Sequence, residues 1–256
     1  MALFLVTLAA FVAGAVNAIA GGGTFLTFPA LTGVARLSDK VANMTSTIGL
    51  WPGSAASVVA ARSDFHRLPR GMVVVFTIIS LIGGAIGSIL LLTTSERSFE
   101  LVIPWLLLFA TVIFGFSRPI ARWAGRQHGH RSAAWTAIVA IVQIFIAIYG
   151  GYFGAGIGVL MLAGLSFAGL DDIHQMNALK VLLSTVINLV AAIFFLFSRL
   201  IDWPTAGAMA AASIVGGFLG MLLARRVKPQ QLRAAILLIG IALTGVYFAK
   251  NYFHAF

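Results

Sequence analysis

The chain has 256 residues, of which 60% are hydrophobic and only 9% are charged, and its mean hydropathy is +1.01. Soluble domains carry roughly 25% charged residues, so this composition excludes a soluble enzyme, a disordered chain and a nucleic-acid reader. We therefore expect a chain that lies in a lipid bilayer. The net charge of +10 is explained by the Lys and Arg residues that collect in the cytoplasmic loops of such proteins. The chain has no cysteine, which excludes disulfides and thiolate metal sites.

Eight uncharged runs, separated by short charged clusters, organise the chain. In order they are residues 1–35, 41–61, 71–95, 101–117, 132–170, 181–198, 203–224 and 234–249. A spanning helix needs about 20 apolar residues, so the first and fifth runs are too long for one helix each. Glycine interrupts both, at 21–23 and at 150–158. We therefore predict an all-α membrane protein of two five-segment halves, about ten segments in all, some of them half-length.

The two halves repeat the same small and polar residues at offsets of 133 and 134 positions. The matched positions are Gly21, Gly22 and Gly23 with Gly154, Ala155 and Gly156; Gly83, Gly84 and Gly87 with Gly216, Gly217 and Gly220; and Asn43, Ser46, Leu50 and Ser54 with Asn177, Lys180, Ser184 and Asn188. Repetition at half the chain length is typical of a duplicated transporter fold. The alternative is coincidence, since spaced small residues are also common helix-packing devices.

The positive charges predict the orientation of the halves. Clusters 62–70, 118–131 and 225–233 hold 11 of the 17 Lys and Arg residues, so we place them in the cytoplasm. The loops 95–100 and 199–202 then lie outside. With five segments in each half, equivalent loops fall on opposite sides of the membrane, which predicts an inverted-topology repeat with both termini periplasmic. The charges of two small clusters, 36–40 and Asp171-Asp172, oppose this orientation.

These assignments divide the chain into three parts. Residues 1–117 form the first transmembrane repeat, 118–131 a basic cytoplasmic linker and 132–256 the second repeat.

The paired glycine breaks are candidate binding elements. A break inside an apolar run unwinds the helix, and the N–H groups at the start of the next half-helix attract anions. Irregular backbone at membrane depth is tolerated only where it lines a cavity or is covered by protein. The alternative is a tight turn between two packed helices.

A polar stripe marks the third segment of each half. Asn177, Lys180, Ser184 and Asn188 are spaced by 3, 4 and 4 residues, which puts them on one helix face. In the first half Asn43, Ser46 and Ser54 repeat the stripe, with Thr45 and Thr47 beside it. Such a stripe faces protein or a water-filled path rather than lipid. For the hydroxyls, interhelical hydrogen bonding is an equal alternative.

Lys180 is the single basic residue that we place inside a predicted span. It lies about 12 Å along the helix axis from Asp172, so snorkelling to the cytoplasmic surface is the alternative to an internal role. A cation beside helix N-termini favours an anionic ligand. No Asp or Glu interrupts an apolar run, so a carboxylate proton relay has no evident member. The membrane potential alone is then the expected driving force.

Enzyme signatures are missing from the sequence. It contains neither His-Glu-x-x-His nor Gly-x-Ser-x-Gly. Asp171-Asp172-x-His174 is best interpreted as a helix cap rather than a metal site. We expect no catalytic residues, no metal and no cofactor.

Several of these segments are shared with a known family. In the first half they are Asn17-Ala-Ile-Ala-Gly-Gly-Gly23, Pro29-Ala-Leu31 and Ala42-Asn-Met-Thr-Ser46; in the second they are Gly151-Tyr-Phe-Gly-Ala-Gly156, Asn177-Ala-Leu-Lys180 and Ile201-Asp-Trp203. With these motifs the chain resembles the TauE/SafE family, the sulfite exporter-like group of the toluene sulfonate uptake permease superfamily. The resemblance covers nearly the whole chain.

The resemblance implies export of sulfite or small organosulfonates, such as sulfoacetate, across the bacterial inner membrane. It also implies that the glycine motifs, with Asn43, Thr45 and Ser46 in one half and Asn177 and Lys180 in the other, line the anion path. Because one half has Asn-Met-Thr-Ser where the other has Asn-Ala-Leu-Lys, the two sites are not chemically symmetric.

We therefore predict a transporter that exports small anions by alternating access. The alternatives are an anion channel, an uptake permease for another small anion, and a membrane-embedded assembly partner. The expected partners are the anion and the lipid bilayer but no nucleic acid, and a homo-oligomer is left open. The predicted substrate-binding residues are Asn17, Gly21, Gly22, Gly23, Thr24, Asn43, Thr45, Ser46, Gly154, Gly156, Asn177, Lys180, Ser184 and Asn188.

Overall fold

A computed structural model describes residues 1–125, 133–168, 170, 172–224, 226 and 229–252. In these residues the chain forms ten α-helices and no β-strand. The helices are α1 (Ala2–Ile19), α2 (Thr24–Pro29), α3 (Asp39–Ala60), α4 (Arg70–Thr93), α5 (Glu96–Gly125), α6 (Ala133–Tyr152), α7 (Ile157–Leu165), α8 (Ile173–Leu196), α9 (Trp203–Leu223) and α10 (Pro229–Tyr252). A π-helical turn, Ala30–Val34, extends α2, and 3-10 turns cover Arg62–Arg67 and Ser166–Ala168.

The helices confirm the all-α membrane fold. Six of them are long and apolar enough to span a bilayer, namely α1, α4, the 96–117 part of α5, α8, α9 and the 234–252 part of α10. Three shorter apolar stretches are Thr24–Val34, Ala137–Tyr152 and Ile157–Ala168. Helix α3 has 22 residues but is not among the six, because it carries the polar stripe of the first half. The chain is therefore a multi-pass membrane protein.

Parts of the predicted basic clusters lie outside the described residues. They are residues 126–131 of cluster 118–131 and residues 225, 227 and 228 of cluster 225–233. Asp171 of the acidic pair also lies outside the described residues.

Local chemistry explains where several helices begin and end. Asp172 is the N-cap of α8 and accepts the N–H of His174 at 2.8 Å, which confirms the predicted cap. Because α8 begins eight residues before the predicted segment, Lys180 lies inside the helix. Asp202 caps α9 in the same way through the N–H of Thr205, at 3.0 Å. Helices α1 and α6 are followed by Gly21 and Gly154, whose φ angles of +73° and +76° are readily adopted only by glycine.

The helices pack in two groups that meet at the centre of the molecule. Helices α1 and α3 pack on α9, helices α6 and α8 pack on α4, and α3 crosses α8 between the groups. The predicted small-residue motifs provide these contacts. Gly216 and Gly220 of α9 lie against the backbone of α1, and Gly87 of α4 lies against the backbone of α6. Because glycine has no side chain, these helix backbones approach each other closely. The two glycine breaks then lie at the same level in the molecule.

Lys40, the last residue of the small charged cluster 36–40, is buried. It is only 6% exposed, and its Nζ donates to the carbonyls of Leu92 at 3.2 Å and Thr94 at 2.6 Å. Lys40 therefore caps the C-terminal end of α4 instead of facing water. Lys40 lies in the first turn of α3, which is not among the six candidate spans.

Candidate functional site

The first glycine break connects α1 to α2 and is folded around Asn17. The Oδ1 atom of Asn17 accepts the N–H of Gly22 at 3.2 Å and the N–H of Gly23 at 2.7 Å. These two amides are therefore not free to bind an anion. The next residue, Thr24, is the first residue of α2, and its amide N–H has no acceptor in the described part of the chain.

The second break connects α6 to α7 and lacks an equivalent side chain. The position 133 residues after Asn17 is Gly150, which has no side-chain oxygen to accept these amides. Within the described ranges, no acceptor binds the amides of Ala155, Gly156 and Gly158. These groups lie at the N-terminal end of α7, where the helix dipole adds partial positive charge.

The two breaks touch each other. A Cβ added to Gly158 would lie 2.5 Å from the Cα of Gly21, and a Cβ on Gly21 would overlap Gly158 in turn. The main chain of one half therefore rests directly on the main chain of the other, at the point where both helices are interrupted.

Lys180 lies at this contact. Its side chain is 1% exposed, and its Nζ donates to the carbonyl of Asn17 at 3.1 Å and to that of Ala18 at 3.1 Å. No carboxylate pairs with it among the residues that the structure describes. The ammonium therefore points into the protein at the end of α1, and the snorkelling alternative is wrong.

A cavity opens between the two breaks and the crossing helices α3 and α8. Its empty volume is about 530 Å³, part of which is open to solvent. Seven of the fourteen predicted residues line it: Asn17, Gly21, Thr24, Gly154, Lys180, Ser184 and Asn188. The remaining lining residues are Ala18, Thr47, Leu50, Ser54, Ser57, Ile157, Gly158 and Val181. Leu50 and Ser54 thus face the same space as Ser184 and Asn188, the positions matched to them by the repeat.

Ser57 and Gly158 are two of the eight lining residues that are not among the predicted substrate-binding residues. Ser57 lies three residues beyond Ser54 and thus continues the polar stripe of α3 by one more turn, which was a usable signal. Gly158 was grouped with the second break, but only the contact with Gly21 distinguishes it from the other glycines there.

The other seven predicted residues hold the surrounding helices. The amide of Asn43 donates to the carbonyl of Tyr152 at 3.0 Å, and that of Asn177 donates to the carbonyl of Ala18 at 3.3 Å. Each asparagine thus binds the end of the helix before the break in the opposite half.

The remaining residues contact neighbouring helices. The hydroxyl of Thr45 accepts the N–H of Asp202 at 3.1 Å, and that of Ser46 lies 2.7 Å from the hydroxyl of Thr27. Gly22 faces Ile236, Gly23 faces Ala13 and Gly156 faces Phe25.

The charges around the cavity have one sign. No Asp or Glu is among the lining residues, whereas the ammonium of Lys180 is. Helices α2 and α7 begin at the cavity and direct the positive ends of their dipoles toward it. The hydroxyls of Ser54 and Ser184 and the amide of Asn188 add neutral hydrogen-bonding groups. The space is therefore suited to a small anion, and no cluster of metal-binding side chains exists in the described residues.

The chain matches known proteins over nearly its full length. The family model described as sulfite exporter TauE/SafE matches residues 6–248. A probable membrane transporter protein of Haemophilus influenzae is 26% identical over 247 residues, covering 95% of this chain and 94% of the relative.

Two further relatives carry similar descriptions. A probable membrane transporter protein, ORF9, of Sinorhizobium is 24% identical and covers 92% of this chain and 88% of its own length. A probable membrane transporter protein of Xylella fastidiosa is 27% identical, with coverages of 83% and 80%. No solved structure matches the chain. With its helical membrane fold and a family match across both glycine breaks, this chain belongs to the sulfite exporter TauE/SafE family of membrane transporters.

Proposed function

We propose that this transporter exports small anions, namely sulfite or small organosulfonates such as sulfoacetate. The observation that carries the proposal is the contact of the two helix breaks beside Lys180 in a cavity without carboxylates. The family description points to sulfite, and the positive ends of α2 and α7 supply the charge that an oxyanion needs.

The anion is proposed to lie between Lys180 and the free amides of Thr24 and Gly158. Both amides belong to lining residues without an acceptor in the described chain, and they come from opposite halves of the protein. Ser184 and Asn188 would bind the remaining oxygens.

Alternating access is proposed to arise from two inverted repeats, 1–117 and 132–256, joined by the linker 118–131. Equivalent contacts support this division: α1 packs on α9 as α6 packs on α4, and α3 packs on α9 as α8 packs on α4. The reciprocal bonds of Asn43 and Asn177 to the opposite half follow the same symmetry. Movement of one repeat against the other would expose the central site to each side in turn.

The proposed location is the bacterial inner membrane, with both termini in the periplasm. A negative cell interior favours exit of an anion by roughly 2.3 kcal/mol per charge per 100 mV. Because no carboxylate lines the cavity, the membrane potential is proposed to drive export without a proton relay.

Counterflow in proteoliposomes tests the proposal. Vesicles loaded with sulfite or sulfoacetate should take up the labelled anion faster than protein-free vesicles, and taurine, which has no net charge, should compete poorly. Planar bilayers made with the same protein should show no unitary currents if the protein is a carrier. Uptake equal to that of protein-free vesicles for all the sulfur oxyanions would contradict the proposal.

A further inference from the structure

We infer that the C-terminal end of α1 is a monovalent-cation site that the ammonium of Lys180 occupies, so that a tethered cation replaces a free coupling ion. This inference rests on the proposed transport function. It assigns to Lys180 a role separate from its contact with the anion.

Two main-chain carbonyl oxygens at this end of α1 bind the ammonium of Lys180. Asn17 and Ala18 lie in the last turn of α1, where carbonyls have no partner within the helix and carry partial negative charge. In transporters with interrupted helices, such exposed carbonyls and half-helix C-terminal ends coordinate the coupling cation. Here the Nζ of Lys180 lies 3.1 Å from each of the two carbonyl oxygens.

Asn177 supplies the second and independent observation. It lies one turn before Lys180 on α8, it is 9% exposed, and its Nδ2 donates to the same carbonyl of Ala18 at 3.3 Å. The Oδ1 of that amide group is buried and has no hydrogen-bond partner. A buried oxygen without a donor, on a residue that binds this helix end, is an acceptor that a small cation can satisfy.

The other half of the protein has no such cation. Ser46 stands at the position equivalent to Lys180, and its hydroxyl is paired with the hydroxyl of Thr27 at 2.7 Å. The carbonyl of Tyr152, at the end of α6, is bound by the neutral amide of Asn43 instead. A single fixed charge is therefore present at the meeting point of the breaks, and it belongs to the chain itself.

Two consequences follow from a tethered cation. Transport by the wild-type protein should not depend on the monovalent cation in the buffer, because the site is already filled. Truncation of Lys180 should vacate the site, leaving the carbonyl of Asn17 without its side-chain donor and that of Ala18 with the amide of Asn177 alone, so that a small free cation can bind there.

The test compares wild type with Lys180→Ala in choline, sodium, ammonium and methylammonium salts of equal ionic strength. Wild-type flux and melting temperature should be the same in all four. In choline, Lys180→Ala should lose about tenfold or more of its flux, the loss expected when one partner of a buried charged contact is truncated. Sodium, ammonium or methylammonium should raise both its melting temperature and its flux, because a cation that binds only the folded state stabilises it.

Lys40→Ala is the matched control. Lys40 is also a buried lysine that binds two carbonyls at a helix end, but it lies outside the cavity. Its loss should lower the melting temperature, while flux per folded molecule should remain and should not respond to ammonium.

If Lys180→Ala does not fold in choline, Lys180→Ser replaces it in the same test. This variant introduces the residue type of Ser46, the equivalent position in the first half. Folding that depends on ammonium or sodium would support the inference. The inference is overturned if the folded variant responds to none of these cations, if neither variant folds in any of them, or if wild-type flux requires sodium. Absence of wild-type flux for every anion would defeat the proposed function, while the melting temperatures would still decide the cation site.

Discussion

Asn17 organises the first break with both of its carbonyl oxygens. Its side-chain oxygen binds the amides of Gly22 and Gly23, and its main-chain oxygen binds the ammonium of Lys180. One residue thus joins the turn after α1 to helix α8 of the other half. Its amide character matters, because an acceptor is needed without a negative charge next to the proposed anion.

Replacement of Asn17 by aspartate tests that reasoning. The carboxylate keeps the acceptors for Gly22 and Gly23, so Asn17→Asp should fold with a melting temperature close to that of wild type. The added negative charge lies beside Lys180 and should weaken the apparent affinity for the anion about tenfold, a loss of roughly 1.4 kcal/mol. Concentration dependence of flux in proteoliposomes measures this, and an unchanged half-saturation concentration would contradict it.

Only part of this arrangement could be predicted at the scale of residues. The spacing of Lys180, Ser184 and Asn188 fixes their common helix face, so their place at the cavity follows from the sequence. The occupied amides of Gly22 and Gly23 do not follow, because the side chain of Asn17 reaches them only after the chain has turned back at Gly21.

At the scale of elements, the direct contact of the two breaks depends on two residues without side chains. Gly21 has a positive φ of +73°, and a Cβ on either Gly21 or Gly158 would overlap the other residue. Gly21→Ala should therefore separate the breaks and abolish most of the transport, since displacement of a bound group by about 1 Å can cost 100-fold in rate.

Gly207→Ala is the matched control for that variant. Gly207 lies in α9 with no atom within 4 Å of an added Cβ, so its replacement should leave flux unchanged and should stabilise the helix slightly. Flux and melting temperature of both variants should be measured side by side. Equal flux for Gly21→Ala and Gly207→Ala would show that the contact of the breaks is not required.

The helix pairs α9–α3 and α4–α8 occupy equivalent positions but differ in closeness. Gly217 of α9 lies against Gly53, and an added Cβ would overlap the carbonyl of Gly53. On α4, the equivalent Gly84 faces Ile187, and an added Cβ would lie 3.3 Å from the Cα of that residue. Because Ile187 stands where the first half has Gly53, α4 keeps a greater distance from α8.

We expect the two glycines to respond differently to alanine. Gly217→Ala should destabilise the protein by about 1–3 kcal/mol, as overpacking of a tight contact does, whereas Gly84→Ala should cost clearly less. Thermal unfolding of the purified variants in detergent provides the comparison. The same loss for both would indicate that the two interfaces are equally close.

At the scale of the whole molecule, the proposed orientation can be tested because the chain contains no cysteine. Ser63 and Ser98 are exposed, and they lie in loops that we assign to the cytoplasm and the periplasm. A membrane-impermeant maleimide should label Ser98→Cys in intact cells, and Ser63→Cys only after permeabilisation. The opposite pattern would place the termini in the cytoplasm.

The segment count and the two breaks could be predicted because glycine and charge interrupt apolar runs in a regular way. Features that depend on contacts between residues far apart in the sequence could not. The carbonyl partners of Lys180 come from a segment 162 and 163 residues away, and Lys40 is buried by the end of α4 rather than by its own neighbours. Helix α8 extends beyond its apolar run because Asp172 caps it upstream.

The proposed anion site is one cavity that residues of both halves line. Ser54 lines it from α3 and Ser184 from α8, so single cysteines at these positions report on the same space. We expect sulfoacetate to protect both Ser54→Cys and Ser184→Cys from alkylation by iodoacetamide at the same concentrations, while Ser98→Cys stays reactive. Alkylation of both cavity cysteines at rates that sulfoacetate and other transported anions leave unchanged would contradict a shared anion site.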